Sequence, residues 1–129
     1  MASVWMVGLE DDPHRSGEIC LFEVFGDAID QTGPAIGMGL HPFRDPDLRD
    51  DFATQRLPID VTDFHAYAID WRPERVDFSV DGDHVCTVEQ APDYPMQVMI
   101  GVFDFPTRPA AAAHTGHVPV FALDYVCER

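Results

Sequence analysis

A chain of 129 residues has room for one domain around one hydrophobic core, and its 46% hydrophobic and 24% charged residues are ordinary for a globular protein. Eight basic residues, all Arg, stand against 23 acidic ones, for a formal net charge of −15. That balance excludes nucleic acid, whose phosphates demand a basic face, and it disfavours an anionic membrane surface; no run approaches the roughly 18 apolar residues of a membrane helix. A neutral glycan suits such a surface, whereas a sulfated or uronic polymer would be repelled. Simple solubility in a saline host explains the charge equally well.

In chain order, short runs rich in Val, Ile, Phe and Tyr are punctuated by eleven Pro and nine Gly, the pattern of an all-β sandwich or barrel. Strands are expected at 3–8, 17–25, 35–41, 64–71, 75–80, 84–88, 96–103 and 118–126. Residues 42–63, with four Asp before Phe52, read as a long polar loop, and 107–117, with Ala110 to Ala113 at its centre, as another. Long loops are either functional or disordered. The clearest hairpin is Val76-Asp77-Phe78-Ser79-Val80, then Asp81-Gly82, then alternation again from His84 to Val88, because Asp-Gly supplies the positive φ angles of a tight turn. With the strand that ends at Trp71-Arg72-Pro73, it forms a meander, which favours one sheet packed on another. Neither a repeat nor a linker interrupts residues 1–129, so one domain is expected. The first residues, Met1-Ala2-Ser3-Val4-Trp5, lack the basic start and apolar core of a signal peptide. Either the chain stays inside the cell, or a signal was lost with upstream sequence.

The segment Gly17-Glu18-Ile19-Cys20-Leu21-Phe22-Glu23-Val24-Phe25-Gly26 sets two carboxylates in an apolar run, which is costly unless they are paired or functional. Glu18 and Glu23 are five apart, so a regular strand would place them on opposite faces. One β-bulge near Leu21-Phe22 would return them to one face, at roughly 13 Å between Cα atoms. The side chains would then lean together toward the ~5–5.5 Å of a retaining glycosidase pair. Two carboxylates suit that chemistry, since one must be ionised to attack the anomeric carbon and the other protonated to assist the leaving oxygen. A structural ion pair with an Arg is the bland alternative.

The stretch 17–26 resembles the active-site strand of glycoside hydrolase family 16, whose pattern is Glu, any residue, Asp, one or two residues, Glu. Other segments are similar to that family in the right order. Trp5-Met6-Val7-Gly8 resembles the preceding strand, and 64–71 the strand with a His that ends in Trp. The Asp-Gly hairpin at 75–88, Tyr94-Pro95-Met96-Gln97 with the apolar run behind it, and Phe121-Ala122-Leu123-Asp124-Tyr125-Val126 complete the series. The resemblance implies a concanavalin A-like jelly-roll β-sandwich of antiparallel sheets, here without counterparts for the N-terminal strands. It also implies a retaining, endo-acting hydrolase of β-1,3- or β-1,4-linked glucan-like polymers, with Glu18 as nucleophile and Glu23 as acid/base. The habit of the family is extracellular, should the chain be a fragment.

Three departures qualify the resemblance. Cys20 stands where the family has an Asp that hydrogen-bonds the nucleophile, and a thiol is a weak donor, so Cys20 is a modulating position. Gly101 stands where a polar Asn is usual. The domain is about half the usual length, which leaves a sheet face and edges uncovered: the chain is a truncated fragment, a minimal variant, or half of a homodimer completing the sandwich, and that second copy is one expected partner. A polysaccharide or oligosaccharide is the other. A non-catalytic carbohydrate-binding sandwich is the alternative function.

Other residues admit a functional and a structural reading side by side. His41 is read as a sugar contact or as a hydrogen-bonded loop His. Trp5 is a sugar-stacking platform or a core residue. His65 and Trp71 are read as structural. Cys20, Cys86 and Cys127 have no metal or redox spacing, the six His show no ligand spacing such as His-x-x-x-His on a helix, although His114 and His117 are close on a loop, and nothing resembles a phosphate-binding loop. Neither metal nor other cofactor is therefore expected.

Overall fold

The computed structural model describes residues 1–9, 11–105, 122–124 and 126–127, and every regular element among them is a strand. In chain order these are β1 (Ala2–Gly8), β2 (Glu18–Asp30), β3 (Gly33–His41), β4 (Asp51–Arg56), β5 (Tyr67–Arg72), β6 (Arg75–Val80), β7 (Asp83–Val88) and β8 (Met96–Val102). They form a five-stranded sheet of order β4-β3-β2-β1-β8 and a three-stranded sheet of order β5-β6-β7. Every pairing is antiparallel.

Alternation places the core between the two sheets. Val76, Phe78 and Val80 of β6 and Val88 of β7 are buried against Ile19, Phe22 and Val24 of β2 and Ile36, Met38 and Leu40 of β3. The ring of Tyr67 meets Phe22 edge-on at 4.7 Å across the sandwich, and the Trp71 indole N–H donates to the Pro92 carbonyl at 3.0 Å. Trp71 is thus structural, as its place in the sequence suggests.

The Asp-Gly hairpin forms as its residues require, with Asp81 at φ 53 and Gly82 at φ 89. Asp81 also anchors the entry to β5. Its carboxylate accepts from the Ala66 N–H at 2.8 Å and lies 2.7 Å from His65 Nδ1, while His65 Nε2 lies 2.9 Å from the Asp60 carbonyl. Both partners of the ring are acceptors, so His65 uses both its N–H groups there and is held as a cation. This is a structural histidine, and β5 starts at Tyr67 because His65 and Ala66 are engaged in this clasp.

Two further strands differ from the sequence expectation. β4 lies inside the stretch read as a loop. Asp51-Phe52-Ala53-Thr54-Gln55-Arg56 carries one large apolar side chain, so alternation could not announce it; it exists as an edge strand, where polar and charged residues guard the open side. β2 runs on to Asp30, forming with the start of β3 an exposed two-stranded ribbon whose pairing slips between Val24 and Ile29. The expected closing strand at 118–126 falls largely outside the described residues, as do the loop at 107–117 and His114 and His117.

Among the described residues, the smaller sheet leaves the β8 side of the larger one uncovered. Val98, Ile100 and Val102 of β8 pair with Met6, Val4 and Ala2, which pack against the core, yet these three β8 residues are 43–48% exposed. No residue of β8 is charged.

Candidate active site

The bulge that the carboxylate spacing demands is present. Trp5 faces Cys20 and Val4 faces Phe22, which leaves Leu21 without a partner on β1. On the other side, Cys20 faces Gly39 and Glu23 faces Gly37, so β2 again holds one residue more than its neighbour. Ile19, Phe22 and Val24 consequently point into the core, and Glu18, Cys20 and Glu23 share the opposite face.

Cross-strand partners point to the same side of a sheet, so the register also places the neighbours. Glu18 lies between Val7 and His41, Cys20 between Trp5 and Gly39, and Glu23 between Ser3 and Gly37. All five residues singled out in the sequence (Trp5, Glu18, Cys20, Glu23 and His41) therefore occur on one face. Among the described residues, neither glutamate is in an ion pair with an Arg; the Arg side chains pair instead with Asp12, Asp30, Asp70, Asp77 and Glu89.

The electrostatics of this row follow from burial. The Glu18 carboxyl is raised above its ordinary value, chiefly because it is half removed from water; nearby His41 lowers it, and the Glu23 charge raises it further. The Cys20 thiol is pushed up to about 12 by burial first and the Glu23 charge second, so it is a neutral thiol and not a nucleophile. Its sulfur lies 4.0 Å from the Gly37 carbonyl, and the buried Ser3 hydroxyl is its second polar neighbour. The thiol proton is thus directed at backbone.

Aromatic rings flank the row on both sides. Toward β8, the Trp5 ring sits 6.1 Å from that of Phe103. A Cβ on Gly101 would come within 2.7 Å of Phe103 and 3.3 Å of Trp5, so these rings fill the space that an Asn would need. Toward β4, His41 stacks on Phe52 at 4.4 Å and donates from Nδ1 to Asp50 at 2.6 Å. The tip of the Phe52 ring reaches Gly37, where a Cβ would be 2.3 Å from its Cζ, so a residue without a side chain is required there. Phe43 meets His41 edge-on at 6.1 Å.

Beneath this end of the row, a buried polar cluster fixes the start of β2. The Tyr94 hydroxyl donates to Asp45 at 2.6 Å and accepts from the Gly17 N–H at 2.8 Å, and both Tyr94 and Asp45 are buried. Ser3, Asp50 and Phe52 were missed in the sequence: Ser3 is a small residue in an apolar strand, and the other two fall in the stretch read as a loop. Recesses of about 140 Å³ beside Leu9 and Tyr94 and about 440 Å³ beside the β2–β3 turn lie away from the glutamates, which occupy an open sheet face.

The family model described as "Glycosyl hydrolases family 16" matches residues 1–118. Among curated proteins, none matches the chain. A similar solved structure is the GlcNAcα1-4Gal-releasing endo-β-galactosidase from Clostridium perfringens, with a TM-score of 0.64 and 24% identity over 77% of this chain. That likeness shows a jelly-roll β-sandwich fold. The chain corresponds to 26% of that protein's length.

Proposed function

Since the chain belongs to glycosyl hydrolase family 16, we propose that it is a retaining, endo-acting hydrolase of β-linked, glucan-like glycans, with Glu18 as nucleophile and Glu23 as acid/base. The single observation that carries this reading is the bulge at Leu21, which brings two glutamates of an apolar strand to one solvent-facing row between aromatic rings.

In this mechanism a Glu18 oxygen attacks the anomeric carbon while Glu23 gives its proton to the glycosidic oxygen, and the C–O bond to the leaving sugar breaks. Glu23, now a carboxylate, takes a proton from water, which attacks the same carbon and releases Glu18. Trp5 and His41 are the sugar contacts of this reading, since a flat ring suits the apolar face of a pyranose and an anchored imidazole offers its second nitrogen. The acidic surface favours a neutral polysaccharide or oligosaccharide. A second copy covering the bare side of β8 is the proposed protein partner.

Reducing-sugar release from β-1,3-glucan, mixed-linkage glucan and agarose, compared among the native protein, Glu18→Gln and Glu23→Gln, tests the assignment. Loss of release in both variants is expected, and equal release by all three proteins would overturn it. A second reading is favoured by one specific feature. Cys20 supplies a poor hydrogen bond where the family pattern has an Asp, and burial holds Glu18 toward its protonated, unreactive form. A sandwich of this kind that binds glycan without cleaving it would show calorimetric affinity with no turnover over a long incubation, and Cys20→Asp would create activity.

A further inference from the structure

Phe43 breaks two rules at once. Its φ is 47°, in the left-handed region where a bulky L-residue is a true outlier, and the residue is 64% exposed, so deep burial does not offset the strain. Gly or Asn would meet the backbone requirement at lower cost. Strain of this kind persists only where the surroundings over-determine it, and here they do. The Asp45 N–H closes the turn on the Pro42 carbonyl at 2.8 Å, and the Arg44 N–H donates to the Ser16 hydroxyl at 3.0 Å. Asp45 itself is buried and held by Tyr94, whose hydroxyl also receives the Gly17 N–H. The turn that carries Phe43 is thereby bolted to the residue just before Glu18.

We propose that Phe43 is a sugar-stacking platform, which sets specificity at the β4 end of the cleft by receiving the apolar C–H face of a neutral β-linked pyranose next to the one attacked at Glu18. The inference deepens the proposed reading of this cleft and rests on it. Three neighbours fit the assignment. The ring stands edge-on to His41, which lies across from Glu18 on the adjacent strand. His41 is fixed by Asp50 and by stacking on Phe52, so the imidazole can serve the sugar hydroxyls beside the ring that serves its carbons. The stretch after the turn, residues 44–51, carries Asp45, Asp47, Asp50 and Asp51 against Arg44 and Arg49, a net acidic balance that disfavours sulfated or uronic sugars there. A rigid aromatic presented at low conformational cost is the kind of group that stacking on a pyranose needs.

The test separates the ring from the backbone. In a Glu18→Gln background, so that ligand is not consumed, binding of β-1,3-gluco-, mixed-linkage gluco- and agaro-oligosaccharides is measured by calorimetry, with melting temperature alongside. Phe43→Gly relieves the backbone strain and removes the platform; Phe43→Trp keeps a stacking face. The expected result is that Phe43→Gly melts at or above its parent yet binds about tenfold more weakly or worse, whereas Phe43→Trp stays within about threefold of the parent. Parental affinity in Phe43→Gly would overturn the platform, and so would a lowered melting temperature, since the ring would then be holding the fold. Turnover by the unsubstituted protein is assayed in parallel. Ring-dependent binding without turnover supports the platform and overturns the hydrolase reading. Turnover with ring-independent binding does the reverse, and no binding by the parent to any of the three oligosaccharides overturns both.

Discussion

Glu18 is the residue on which burial and chemistry pull in opposite directions. Its folded-state proton affinity is raised above the ordinary 4.5, so the charged form is disfavoured by folding. The sign follows: this penalty is absent below about pH 4.5, grows as pH rises through the raised value, and is complete above it. Glu18→Gln is therefore expected to melt at a higher temperature than the native protein at pH 7 and at the same temperature near pH 4, read by calorimetric scans at both values. The same shift moves the acidic limb of kcat upward, because the nucleophile must be ionised. His65 carries the opposite sign. Its hydrogen bond to Asp81 raises its affinity for a proton, so its contribution is fully present below about pH 6.5 and fades as pH rises through the raised value. His65→Ala should lower the melting temperature most at pH 6 and progressively less as pH rises through the raised value, read by thermal melts across that range.

At the scale of the strand, what matters is residue count. Deleting Leu21 would restore an unbroken register in β2, turning Glu23 toward Phe78 and Val80 and sending Phe22 and Val24 to the cleft. An unpaired carboxylate in that core costs several kcal/mol, so loss of cooperative thermal unfolding is expected; Leu21→Ala keeps the count and should lose no more than about 2–3 kcal/mol. Chemical denaturation of the two variants distinguishes them. The bulge was legible because two glutamates five apart in an apolar run admit no other way onto one face. The strands β1, β3, β6, β7 and β8 were legible from alternation and from the turns between them, the Asp81-Gly82 turn most clearly. β4 was not, since an edge strand is held by its pairing with β3 and needs no apolar rhythm of its own. Nor was the role of Phe52, whose partners Gly37 and His41 are brought to it only by that pairing. The left-handed backbone at Phe43 left no trace either, for a phenylalanine is the last residue from which a positive φ would be read.

At the scale of the whole molecule, the described residues set a five-stranded sheet against a three-stranded one, and the proposed second copy would meet the part left over. Among the described residues β8 is an edge strand, and Val98, Ile100 and Val102 present apolar side chains from its core side with none of the Lys, Pro or inward charges that commonly guard an edge. If a second copy covers this side, Ile100→Glu is expected to convert a concentration-dependent dimer to a monomer in sedimentation runs, with the glutamate row on the opposite face of the sheet unaffected. A native protein that sediments as a monomer at every concentration tested would remove the dimer from the account.

The uncharged β8 sits in a chain whose net charge is −15, and this combination has a colloidal consequence. Two copies approaching through β8 are kept apart at long range by the repulsion of everything else on their surfaces. That barrier reaches about 30 Å at 0.01 M ionic strength and shrinks to about 8 Å at 0.15 M. Added salt should therefore speed the encounter of two copies, the reverse of what it does to partners joined by ion pairs. Dilute buffer becomes the condition in which the isolated chain keeps longest in storage.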